Sequence, residues 1–182
     1  MIGAGRTLFT DRGYDGVTAE DLVAATGLTR GALHHQFGDK KGLFREVHVA
    51  LERELMEQVE AAIADEPTTV GRMMLAIGAV LDACSRPELV RIALLDAPSV
   101  LGWQAWRAVE SEYGLQLVTD LLRAGVDEGV IAPGPGDTLA HIVLGSVIEC
   151  ALLIAHADDP AAARQEAETS LGLLLNGLLV PT

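Results

Sequence analysis

Apolar residues recur along this chain at intervals of three and four, the repeat of one helix face, and no alternating apolar run bounded by turn residues asks for a strand. The longest stripe is Leu43, Val47, Leu51, Leu55, Val59 and Ile63, each four residues beyond the last. It predicts a helix that Asp39 caps, that reaches about Asp65 and that Pro67 ends. Upstream, a first helix is expected to run to about Arg12 and stop at Gly13, although Gly3 and Gly5 each cost up to about 1 kcal/mol relative to alanine inside a helix. Two short helices are predicted next. Thr18 caps the first with Asp21 three residues on, Leu22 and Val23 face inward, and Gly27 leaves it in the left-handed region that glycine enters at little cost. Thr29 caps the second, whose Leu33 and Phe37 step by four to bury one side.

Beyond the long helix, Thr68 or Thr69 opens a helix through Cys84, with Met73, Met74, Ile77, Val80 and Leu81 apolar. Pro87 starts a short helix to about Leu95, which Pro98 and Gly102 are expected to break. Trp103 begins a long helix that Gly129 ends, and Pro133-Gly-Pro-Gly136 is a turn. Segment 139–155 is apolar nearly all round and is expected to be buried on every side, inside the protein or at a subunit interface. At seventeen residues, with His141 and Glu149 inside it, it falls short of the roughly twenty that a bilayer span needs, so no membrane is expected. A final helix keeps Leu171, Leu174, Leu175 and Leu178 at helical spacing. The fold class is therefore all-α, with a three-helix helix-turn-helix domain over 1–48 and a helical body for ligand binding and dimerisation over 49–182.

Thr18 to Phe37 has the form of a helix-turn-helix, whose second helix can enter the major groove of DNA. Leu8-Phe9, then Gly13-Tyr14, this helix pair, and Phe37-Gly-Asp-Lys-Lys-Gly-Leu-Phe44 resemble the N-terminal domain of the tetracycline-repressor (TetR) family from Met1 to about Val49. Leu95-Asp-Ala-Pro-Ser-Val-Leu-Gly-Trp103, Leu121-Leu-Arg-Ala-Gly-Val-Asp-Glu-Gly129 and Asp158-Asp-Pro160 resemble one of that family's C-terminal domains. The resemblance implies residues ahead of the first helix, often basic and touching the DNA backbone. Here the chain begins almost at the helix, so either the start lies upstream or the arm is lacking. It also implies packing of the last two helices of two subunits as a four-helix bundle, which their leucines and small residues suit.

A net charge of −13 argues against nucleic acid, but its distribution softens that objection. Residues 1–48 hold six basic and six acidic side chains, so all the excess negative charge lies beyond them. The two lysines of the chain, Lys40 and Lys41, follow the candidate reading helix. An acidic body behind a neutral head favours docking through the head, although solubility explains most of the acidity. Cys84 and Cys150 are too few for a disulfide framework and, without a signal peptide, point to a reducing cytoplasm; both read as small buried apolar residues.

Arg30, on the first turn of the second short helix, can read guanine through two hydrogen bonds or hold a phosphate. Thr29 and the amides beside it suit a phosphate at a helix N-terminus, and Thr18 can touch the backbone. Gly31 and Ala32 allow close approach; His34 stands where the family usually has tyrosine, and His35 is a further contact. Lys40 occupies the position at which the resemblance implies a phosphate contact, and solvated side chains are the plain alternative for it and for Arg30. For a small-molecule effector the candidate lining is Met73, Met74, Ile77, Trp103, Trp106, Arg107 and Glu110, with ordinary core as the alternative. His141, Glu149 and His156 are spaced too widely for a compact metal site, and no cofactor is expected. Catalysis finds no support in the motifs present. The expectation is a ligand-responsive homodimeric regulator, chiefly a repressor, released from a palindromic operator on double-stranded DNA by an unknown small molecule. The alternatives are a sensor or scaffold of the same fold with weak DNA binding, and a small helical enzyme that uses the histidines.

Overall fold

A computed structural model describes residues 1–27 and 29–181. Nine α-helices are present among them: α1 (Ile2–Arg12), α2 (Ala19–Thr26), α3 (Arg30–Phe37), α4 (Lys40–Ile63), α5 (Thr69–Ala83), α6 (Ala97–Leu101), α7 (Trp103–Asp127), α8 (Gly136–His156) and α9 (Pro160–Asn176). A π-helical stretch, Leu89–Asp96, precedes α6. Among the described residues the single β pairing is the isolated bridge between Ile131 and Leu179.

The chain forms two compact units, Met1–Arg53 with Arg86–Val109, and Glu54–Ser85 with Glu110–Thr182. In the first, α1 packs on α2 and α2 on α3, around a core of Phe9, Val17, Leu22, Leu33, Leu43, Phe44 and Val47. Phe9 and Tyr14 each meet Phe44 edge-on at 5.1 Å between ring centres. Gly5 has a packing reason: a Cβ there would stand 3.3 Å from Val47 and 3.4 Å from Leu43, so the missing methyl lets α1 lie close on α4. The stretch 86–109 belongs to this unit rather than to the body. Arg6 bonds Glu88 at 3.0 Å, the Tyr14 N–H donates to the Asp96 carboxylate at 2.7 Å, and the buried Trp106 ring donates to the Ala93 carbonyl at 3.0 Å.

In the second unit α8 packs on α9 and both pack on α5. Thr68 caps α5 by accepting from the Gly71 N–H, and Asp159 caps α9 by accepting from the Ala162 N–H. Arg164 joins α9 to α5 through Asp82 at 2.6 Å.

One expectation is corrected. Pro98 does not break the chain's helical course: α6 continues directly from the π-helical stretch, the Ala93 carbonyl that the Pro98 nitrogen cannot bond accepts from the Trp106 ring instead, and the break falls at Gly102 alone. The apolar segment within α8 is covered on one face by this chain. Ala140, Leu144, Val147, Ile148, Ala151 and Ile154 are buried, but Ile142 and Leu153 are each 59% exposed. At 21 residues α8 is long and apolar enough to cross a membrane by length and composition, and in this fold one face of it forms core.

Candidate nucleic-acid interface

The turn from α2 to α3 is built from its caps. The Thr18 hydroxyl accepts from the Asp21 N–H while the Asp21 carboxylate accepts from the Thr18 N–H, a reciprocal capping box. The Thr18 N–H and then the Thr18 hydroxyl, both donating to it, hold the Asp21 carboxyl below the usual carboxylate range. Gly27 follows with φ +64° and ψ +12°, left-handed as expected. Thr29 then caps α3 by accepting from the Ala32 N–H. Leu22 and Leu33 are buried beneath, which leaves Thr29, Arg30, Gly31, His34 and His35 exposed and Ala32 half-buried. α3 therefore presents one continuous outer face with two small residues at its start.

Charge on this face is largely paired within the head. Arg30 Nη2 lies 2.9 Å from Glu20 Oε1, and Arg12 Nη1 lies 3.5 Å from Asp21 Oδ1. His34 Nδ1 donates to the Gly38 carbonyl, so its Nε2 is the nitrogen available to a partner. Lys40 sits at the first turn of α4, half-buried. Its ammonium donates to the Tyr14 carbonyl at 3.0 Å and the Val17 carbonyl at 2.8 Å, and lies 3.9 Å above the Tyr14 ring. It thus ties the start of α4 to the turn before α2, and only its remaining N–H is open to a phosphate. Lys41 is exposed. Sequence reasoning missed Glu20 and this anchoring of Lys40, because each depends on a partner far along the chain.

The candidate effector residues divide between the two units. Trp103, Trp106 and Arg107 belong to the first; Met73, Met74, Ile77 and Glu110 belong to the second. Trp103 and Trp106 meet at 4.9 Å between ring centres, with Trp106 wholly buried and Trp103 61% exposed. Met73 and Ile77 are buried, Met74 is exposed, and Arg107 and Glu110 are half-buried. His141, Glu149 and His156 are all exposed. Burial pushes the Cys84 thiol up to about 11, so it stays protonated at neutral pH and behaves as the small apolar residue expected.

The sequence matches two family models. Residues 2–47 match the bacterial regulatory proteins of the tetR family, and residues 70–178 match the tetracyclin repressor-like C-terminal domain. The chain belongs to the TetR family. A TetR-family transcriptional regulator from Pectobacterium atrosepticum, known from its crystal structure, is 34% identical, with a TM-score of 0.89 over 99% of this chain and 92% of that one. An HTH-type transcriptional repressor of Mycobacterium tuberculosis is 36% identical over 106 residues, 57% of this chain and 54% of that protein. The HTH-type transcriptional repressor AcnR of Corynebacterium glutamicum is 44% identical over 54 residues, 30% of this chain. The match spans 27% of AcnR and about half of the mycobacterial repressor, 54%. This TetR-family chain accordingly shares its full fold with the Pectobacterium regulator and only part of its length with the two named repressors.

Proposed function

We propose that this chain is a DNA-binding transcriptional repressor that acts as a homodimer and releases a palindromic operator when a small molecule binds its body. The observation that carries the reading is the exposed outer face of α3, with Thr29, Arg30, Gly31, His34 and His35 set on a capped helix-turn-helix. The similar proteins named as repressors support its direction. Thr29 with the first amides of α3 suits a backbone phosphate, and Thr18 a second one. Arg30 reads a base edge from the first turn, and His34 Nε2 and His35 contact the backbone or bases.

Exposed Ile142 and Leu153 on α8 and Leu173 and Leu174 on α9, between 57% and 69% accessible, support a subunit interface formed by these two helices. Two heads in successive major grooves must stand about 34–36 Å apart, or a multiple of that. The effector contacts proposed within the second unit are Met73, Met74, Ile77 and Glu110. A bound effector shifts the population only by its different affinity for the two head spacings. The functional head is taken as 1–48 and the body as 49–182, in the bacterial cytoplasm, with no catalytic role, cofactor or membrane.

The test is selection from random duplexes with wild type beside Arg30→Ala. The expected result is a palindrome enriched by wild type, with about 1–3 kcal/mol of discrimination lost at one base pair in each half-site of the variant. Absence of any enriched sequence overturns the reading in favour of a sensor of the same fold.

A further inference from the structure

Glu20 stands on a surface that has a cost for it. It is the second residue of α2, and its side chain is 67% exposed beside an Arg30 that is 75% exposed. A carboxylate beside a surface that meets phosphates opposes the counterion release that drives DNA binding. An ion pair this exposed adds little to stability. Its geometry suits another role. Glu20 Oε1 takes one Nη2 N–H of Arg30 at 2.9 Å, which leaves the second Nη2 N–H, paired with Nη1 or with Nε, as a fork for a base. An arginine on a long flexible stem reads guanine well only when its planar fork is held at one angle.

We propose that Glu20 is a positioning residue: it fixes the Arg30 guanidinium before DNA arrives and exchanges overall affinity for discrimination at the base pair that Arg30 reads. The inference rests on Arg30 being a base contact. It makes Glu20 act through Arg30, and this separates it from plain charge repulsion.

The experiment compares full-length wild type, Glu20→Ala, Glu20→Gln, Arg30→Ala and the double variant Glu20→Ala/Arg30→Ala. Each is tested in duplex selection and in titration against random and selected duplexes. Glu20 is exposed and alanine is a strong helix former, so the fold is retained. Both single Glu20 variants are expected to bind random duplex more tightly, by about two- to fivefold at low salt. Glu20→Ala flattens the preference at one base pair per half-site, also by about two- to fivefold, whereas Glu20→Gln keeps an acceptor at the same reach and keeps the preference. In the Arg30→Ala background, Glu20→Ala still raises random-duplex affinity but changes no base preference. A wild-type base profile in Glu20→Ala overturns the proposal, as does flattening that persists without Arg30. If wild type enriches no sequence, the DNA-binding reading falls and the proposal with it. If wild type enriches a palindrome and Glu20→Ala does not alter it, the proposal alone falls.

Discussion

The Lys40 ammonium is held by two carbonyls and a tyrosine face, so its first role in the folded head is to fasten α4 to the turn before α2. Lys40→Ala removes two charge-assisted hydrogen bonds and a cation–π contact. It is expected to lower stability by about 1–2 kcal/mol, read as an earlier urea midpoint in the absence of DNA. A variant as stable as wild type that loses only DNA affinity would make Lys40 a phosphate ligand and nothing more. His48 poses the opposite case, a titratable group with no exposure. Burial, and then the nearby Arg45 charge, lower its pKa from 6.5 to about 4. The unfolded chain therefore binds the proton first as pH falls. Stability is full above pH 6.5 and drains between 6.5 and about 4, by on the order of 3 kcal/mol in total. Unfolding curves measured at steps across that window should lose this slope in His48→Leu.

At the scale of elements, the helix-turn-helix was legible because caps are local. Thr18, Asp21, Gly27 and Thr29 act on backbone groups within three residues of themselves, so their roles follow from spacing alone. Thr18→Ala removes the hydroxyl that accepts from the Asp21 N–H, one half of the capping box, and is expected to cost about 1 kcal/mol, seen as a lower melting temperature. An unchanged melt would show that packing of Leu22 alone holds α2. The stretch 86–101 was less legible. A π-helical turn leaves no mark in the hydrophobic period, and a proline is compatible with a helix's first turn as well as with its end. At Pro98 the Ala93 carbonyl, left without its helical partner, is taken by the Trp106 ring N–H at 3.0 Å, a contact from outside the stretch.

For the molecule as a whole, α8 and α9 carry more apolar surface than their own unit covers. Leu173 is 69% exposed and Leu174 57%. If these residues meet a second copy, Leu173→Glu buries a charge at the interface and shifts the dimer to monomer at micromolar concentration. Sedimentation reads that shift directly. Operator affinity should fall with it, because a single head keeps only one half-site. A Leu173→Glu protein that remains dimeric would move the interface off α9. On the proposed function the charge distribution acts at this scale too: residues 49–182 carry the whole excess of negative charge, which disfavours their approach to DNA and favours approach through 1–48.

Sequence alone determined the helical class, the order of the helices, the caps around Gly27 and the outward set on α3, because each follows from backbone hydrogen bonding or a 3.6-residue period within a few residues. Only the tertiary structure decided that Arg86–Val109 packs with the head, that Lys40 is spent largely on carbonyls, that Glu20 holds Arg30, and that one side of α8 stays uncovered. Those depend on which distant side chains meet. The hydrophobic pattern states how much surface must be buried, and leaves the choice of partner to packing.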